Sequence, residues 1–156
     1  MKNLLLTLMF VTGMSTAIAQ TTTTRSHNYD FPLIGLGSTE TAEVDVINPA
    51  TNSSSGTAAS CTGTVSFLNS AGTTIGSATP FTLTAGQASP VKLPFSSSGG
   101  TAPRTLIRAV VSETVSTSGS NPPCGLQFTM SIYDTTTGAT HAVLTGGGLA
   151  SGPFGR

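Results

Sequence analysis

Tryptophan is missing from this 156-residue chain, charged side chains make up only 8% of it, and cysteine occurs just twice. Each scarcity narrows what the protein does. With no Trp, and with Tyr29 and Tyr133 as the two tyrosines, the chain lacks the aromatic platforms on which sugars stack. Six basic residues balance six acidic ones without a block of either sign, so the positive footprint that nucleic acid or an anionic membrane surface requires is absent. After the N-terminal segment no apolar run approaches the roughly 18 residues of a membrane-spanning helix, and no transmembrane anchor is expected. His27 and His141 lie far apart, neither cysteine belongs to a C-x-x-C pair, and no G-x-S-x-G occurs. A non-catalytic protein with no metal centre and no cofactor is predicted.

What is present begins with an export signal. Lys2 precedes an apolar stretch from Leu4 to Val11, and Ala17-Ile18-Ala19 matches the small-residue cleavage pattern. Residues 1–19 are therefore predicted to be a signal peptide, 20–28 a polar, Thr-rich flexible arm, 29–145 a single folded domain and 146–156 a flexible Gly-rich tail. The expected location is secreted or periplasmic, an oxidising setting in which Cys61 and Cys124 form a disulfide. Closing their loop of about 63 residues stabilises a fold by about 4 kcal/mol in the chain-entropy model.

From residue 30 onward the apolar residues fall in short runs of period two, separated by clusters of Gly, Pro, Asn and Ser. That pattern predicts an all-β antiparallel β-sandwich of about eight or nine strands. Residues 29–36 read as a first strand, confined to an edge by Pro32. In 40–48, Ala42, Val44 and Val46 alternate with Glu43 and Asp45; in the next run Cys61, Gly63, Val65 and Phe67 share a face. A turn at 69–72 leads into a short strand around Ile75, residues 81–84 and 88–95 read as a hairpin about 85–87, and 96–103 reads as a flexible connection. Ile107, Ala109 and Val111 oppose Leu106, Arg108 and Val110 in 104–115, the pattern of a central strand. Cys124, Leu126, Phe128, Met130 and Ile132 point inward in the strand that follows, and Gly138 closes a turn into a last strand at 139–144.

In a sandwich the strands carry packing and the loops carry recognition. The expected binding surface thus comprises Asn52, Ser53 and Ser54 in one loop, Ser118 and Asn121 in another, and Tyr133, an aromatic on outward parity. Loop 96–103 is a further candidate. A Cys61–Cys124 bridge would bring the loops preceding the two cysteines to the same end of the domain. Glu40, Glu43 and Asp45 form the acidic cluster of the chain, which either binds a hard cation or keeps a strand soluble. Near-zero net charge gives little intermolecular repulsion, and a monomer or weak self-association is expected.

The segments Gly35-Leu36-Gly37, Phe67-Leu68-Asn69-Ser70-Ala71-Gly72, Leu83-Thr84-Ala85-Gly86-Gln87, Arg108-Ala109-Val110-Val111 and Tyr133-Asp134-Thr135-Thr136-Thr137-Gly138, taken with the two cysteines, resemble a group of small secreted bacterial proteins of unassigned function. More loosely they are similar to bacterial immunoglobulin-like modules of the cell-adhesion-related type. The resemblance implies an immunoglobulin-like build and a place at the cell envelope or outside the cell. The expected function is a secreted, non-catalytic module that binds a protein or envelope component or serves as a structural surface element. One rival is a subunit of an extracellular polymer whose arm, 20–28, adds a strand to a neighbour; another is a secreted enzyme.

Overall fold

The computed structural model of the protein describes residues 24–49, 60–101, 103–116 and 125–146. Nine strands account for most of them: β1 (Thr24–Asp30), β2 (Ile34–Gly37), β3 (Glu40–Ile47), β4 (Cys61–Asn69), β5 (Thr74–Leu83), β6 (Ala88–Pro94), β7 (Arg104–Ser116), β8 (Gln127–Asp134) and β9 (Thr140–Gly146). A single 3-10 turn, Phe95–Ser97, follows β6, and no α-helix occurs among the described residues.

Two antiparallel sheets face each other. In the five-stranded sheet β7 is central: β4 and then β5 lie on one side, while β1 and β2 share the other, β1 against 110–116 and β2 against 104–107. The four-stranded sheet runs β6-β3-β8-β9. Strand alternation supplies the core between them, as the period of two predicts. Ile107, Ala109 and Val111 from one sheet are buried with Val44, Met130 and Ile132 from the other, and Glu43 and Asp45 stay on the outer face of β3.

The single strand expected over 29–36 is broken at Pro32 into β1 and β2, which share one edge of the sheet. The chain leaves the sheet at 31–33 and returns to the same edge, with the Phe31 amide donating to the Ala109 carbonyl at 2.9 Å across the gap. Residues 24–28, expected to belong to a flexible arm, are strand β1 instead, because their backbone completes the ladder of β7. The strand around Ile75 also continues further than expected, to Leu83. Gly76 takes a left-handed φ of 69° near the register shift between Val65 and Phe67, so β5 absorbs an irregularity and resumes pairing.

Residues 85–87 do not close a hairpin. They carry the chain from β5 in one sheet to β6 in the other, and the end of β3 holds them in place. The Gly86 amide donates to the Asn48 carbonyl at 2.7 Å, the Asn48 amide to the Gln87 carbonyl at 2.9 Å, and the Asn48 side-chain amide to the Leu83 carbonyl at 3.1 Å. Part of 96–103 is likewise fixed: Ser98 is buried and its hydroxyl donates to the Phe95 carbonyl at 2.7 Å. Gly138 has the positive φ expected of it, 73°. Asp134 organises that turn, accepting the Thr136 and Thr137 amides at 2.8 Å each and the Thr39 hydroxyl at 2.6 Å. These hydrogen bonds, that of Thr39 foremost, hold the Asp134 carboxyl down to about 2.

Candidate functional site

The two ends of the sandwich differ in kind. Turns at 69–73 and 134–139, with the 95–101 connection, close one end. At the other end β3 finishes, β4 begins, β7 finishes and β8 begins. Thr62 pairs with Thr114 and Ile47 with Gln127, so these termini meet within each sheet, and the Asn48 side chain links one sheet's end to the other's through Leu83. Segments 50–59 and 117–124 therefore join the fold at one shared end. Loop 96–103 belongs to the opposite end.

Beneath the shared end lies a carboxylic acid that sequence reasoning passed over. Glu113 continues the inward parity of Ile107, Ala109 and Val111 and is only 2% exposed. Its β1 partner in register is His27 and its β4 partner is Gly63. The Tyr29 hydroxyl donates to Oε2 at 3.2 Å, and the Tyr29 ring packs on Phe128 of the facing sheet at 4.8 Å between centroids. Oε1 has no hydrogen-bond partner among the described residues. Burial raises the Glu113 carboxyl above its ordinary range, against the Tyr29 hydrogen bond and the His27 charge, which both favour ionisation. Tyr29 is raised too, by burial and then by the Glu113 carboxylate beside it.

No protein-family model, curated protein or solved structure matches this chain. The geometry therefore stands by itself. Of the residues expected to form a binding surface, Asn52, Ser53, Ser54, Ser118 and Asn121 lie outside the described residues, as does Cys124. Cys61 opens β4 and is buried at 1% exposure, on the inward parity expected of it. Tyr133 sits near the Asp134 end of β8, away from the end that segment 117–124 joins, on the outer face of the four-stranded sheet. There the Lys92 ammonium lies 5.7 Å from the Tyr133 ring centre and 3.3 Å from Glu43 Oε2.

The acidic cluster is divided among separate partners. Glu43 pairs with Lys92, whereas Glu40 accepts the Gly37 amide and contacts His141 Nδ1. Burial pushes Glu40 up, but the Gly37 amide, His141 and Arg104 outweigh it and hold the carboxyl below its ordinary range. Asp45 is raised, by burial first and then by Glu43, with Lys92 opposing. No group of three or more His, Cys, Asp or Glu side chains is placed to hold a metal ion among the described residues. An open cleft of about 460 Å³ lies at the turn end between 31–33, 69–72 and Arg108. Its guanidinium is engaged by Asp30 at 3.1 Å.

What Glu113 does chemically follows from its surroundings. An ionised carboxylate with one unpartnered oxygen inside a core is costly, so burial favours the protonated form. Its folded-state pKa lies above the unfolded one, so folding takes up a proton between the two. Stability contributed by the neutral acid is fully present below the ordinary glutamate value of 4.5 and is lost as pH rises through the raised value. Each unit of upward displacement corresponds to about 1.4 kcal/mol. Urea unfolding at a series of pH values is expected to give stability that falls as pH rises above 4.5, and Glu113→Gln is expected to flatten that slope. An unchanged slope in the variant would remove Glu113 as its cause.

Proposed function

We propose that the protein is a secreted, non-catalytic β-sandwich module, immunoglobulin-like in general build and bridged between Cys61 and Cys124, that binds a protein or cell-envelope component. Its binding end is the one joined by segments 50–59 and 117–124. The observation that carries this reading is the convergence of those two longest interstrand connections on one end of a well-buried sandwich, opposite the turns at 69–73 and 134–139. Scaffolds of this kind keep packing in the strands and recognition in the loops. The immunoglobulin-like build is supported by the pairing of β3 with β6 in one sheet and of β4 with β7 in the other, although β8 lies beside β3 rather than beside β7. The bridge is supported by the buried Cys61 at the start of β4 and by Leu126, buried two residues after Cys124. It would connect the two sheets at the binding end. The apolar segment 4–11 with Ala17 and Ala19 supports export.

The test uses the exported protein as bait against the envelope fraction of the producing cell. Replacing 52–56 and 116–120 with short Gly-Ser turns is expected to leave the melting temperature within a few degrees of the parent and to lower capture of the parent's partner at least tenfold. Full capture by a stably folded double-loop variant would move binding elsewhere on the domain.

A further inference from the structure

Strand β1 is fastened to the core through a single neighbour. It lies at an edge, pairs only with β7, and its described side chains Ser26, His27, Asn28 and Asp30 are exposed, with Tyr29 partly buried. Apart from the backbone ladder, the polar contacts that fasten it among the described side chains all reach β7: Tyr29 to Glu113, the Ser112 hydroxyl to Asn28 Oδ1 at 2.6 Å, and Arg108 to Asp30 at 3.1 Å. The ring contact of Tyr29 with Phe128 reaches the other sheet. The link that follows belongs to no strand and exposes Pro32 and Leu33, the latter at 51%, while β2 holds its own separate stretch of β7. β1 is thus free to leave without unpairing β2 or any strand of the facing sheet.

An edge that has lost its strand presents a row of unpaired backbone donors and acceptors. The segment that fits that row, register and side-chain partners included, is the one already seen on it. Exchange of an identical element between copies reuses every contact and requires only that a connecting link open, so its thermodynamic cost is low. We propose that β1 is an exchangeable strand and that the 110–116 edge of β7 accepts β1 of a second copy of this chain, with the Tyr29–Glu113 contact as the latch.

The latch has a direction. Tyr29 and His27, both on β1, are the titratable groups that face Glu113; β4 sets Gly63 opposite it, and the facing sheet brings Phe128 against Tyr29. Burial outweighs the help that Tyr29 and His27 give to the ionised form. When Glu113 ionises it gains by meeting water, and departure of β1 with those two side chains opens that edge. Exchange is therefore slow while the acid is protonated and faster as pH rises. This holds whatever the loop end of the domain binds.

Ser26 and Thr114 are register partners and both are exposed. Proteins carrying Ser26→Cys and Thr114→Cys singly are mixed, incubated at pH 5.5 or pH 8.5, returned to one common pH, oxidised briefly and resolved on non-reducing gels. Mass spectrometry identifies the 26–114 linkage. A mixed covalent dimer is expected to accumulate at least fivefold faster after incubation at pH 8.5, and Glu113→Gln in both partners is expected to remove that difference. The double variant Ser26→Cys/Thr114→Cys should cross-link within one chain, which verifies the register. Mixed dimer at or below the level given by Ser26→Cys with Ser70→Cys, a turn residue at the other end, would overturn the proposal, as would failure of the double variant to cross-link. Exchange at equal rates at both pH values would overturn Glu113 as the latch.

Discussion

If the proposed Cys61–Cys124 bridge forms, replacing both cysteines by serine is expected to lower the stability of the protein by about 4 kcal/mol, the value for a closed loop of about 63 residues. Net stabilities of such domains are about 5–15 kcal/mol, so the loss is a large share of the whole. For a domain of this size it corresponds to a fall in melting temperature of about 10–15 °C. The effect has two origins. Most of it comes from the unfolded chain, which regains the freedom that the bridge removes. The remainder comes from the folded side, where Cys61 is 1% exposed at the head of β4 and a serine hydroxyl at that position needs a hydrogen-bond partner. Urea unfolding of parent and double variant measures the difference. Equal midpoints, together with alkylation of both thiols in the unreduced parent, would show that no bridge forms.

Gly63→Ala is expected to cost about 3 kcal/mol, at the upper end of what overpacking does to a core. Gly63 is buried in the middle of the inward face of β4, between Cys61 and Val65. A Cβ there would lie 2.2 Å from the Ser112 carbonyl oxygen and 2.5 Å from Phe81 Cζ. Phe81 has alternatives in principle, but the carbonyl belongs to the backbone of central strand β7 and moves only if the ladder between β4 and β7 distorts. The reason for glycine at 63 is therefore space, since its backbone is ordinary strand and its φ is not positive. Thermal or urea unfolding of Gly63→Ala checks this, and Gly125→Ala, whose Cβ would meet nothing within 4 Å, is the control expected to change little. A loss below about 0.5 kcal/mol at Gly63, within the range of ordinary surface changes, would contradict the packing described for that face.

Gly63 also illustrates what was legible in the sequence. Its inward parity, like that of Val44 in β3 and Phe128 and Met130 in β8, follows from alternation alone, because a strand with one face in the core must repeat every two residues. Pairing is a different matter. Phe81 and Leu83 alternate just as Val91 and Leu93 do, and both pairs are buried, but they enter the core from opposite sheets. Alternation says which side chains face inward and nothing about which sheet brings them, so a crossover at 85–87 and a hairpin there read alike. The strand around Ile75 reads as short because the glycine that marks a bulge inside it, Gly76, has the residue chemistry of a strand end. Residues 24–28 carry no large apolar anchors and resemble a free arm, yet the ladder of β7 recruits their backbone.

Glu113 was legible and was missed. The inward series Ile107, Ala109 and Val111 predicts its side chain in the core, and a carboxyl on that parity is itself a signal, since acids are rarely buried without a reason. Asn52, Ser53, Ser54, Ser118 and Asn121 stand out by polarity, which marks a loop without saying what it touches. Tyr133 was chosen for outward parity, and that parity holds. Only the fold places it near the turn end, at the opposite end of β8 from where 117–124 joins.

The central claim is that β1 covers an internal acid, Glu113, whose burial favours its protonated form. A direct test is a carbon-detected NMR titration of the glutamate side chains in the folded protein, with Glu113 assigned through Glu113→Gln. The account predicts that the Glu113 carboxyl titrates above the ordinary value of 4.5, whereas Glu40 titrates below it. A Glu113 resonance that titrates at or below 4.5 would mean a solvated or fully paired carboxylate, and would contradict both that claim and the latch.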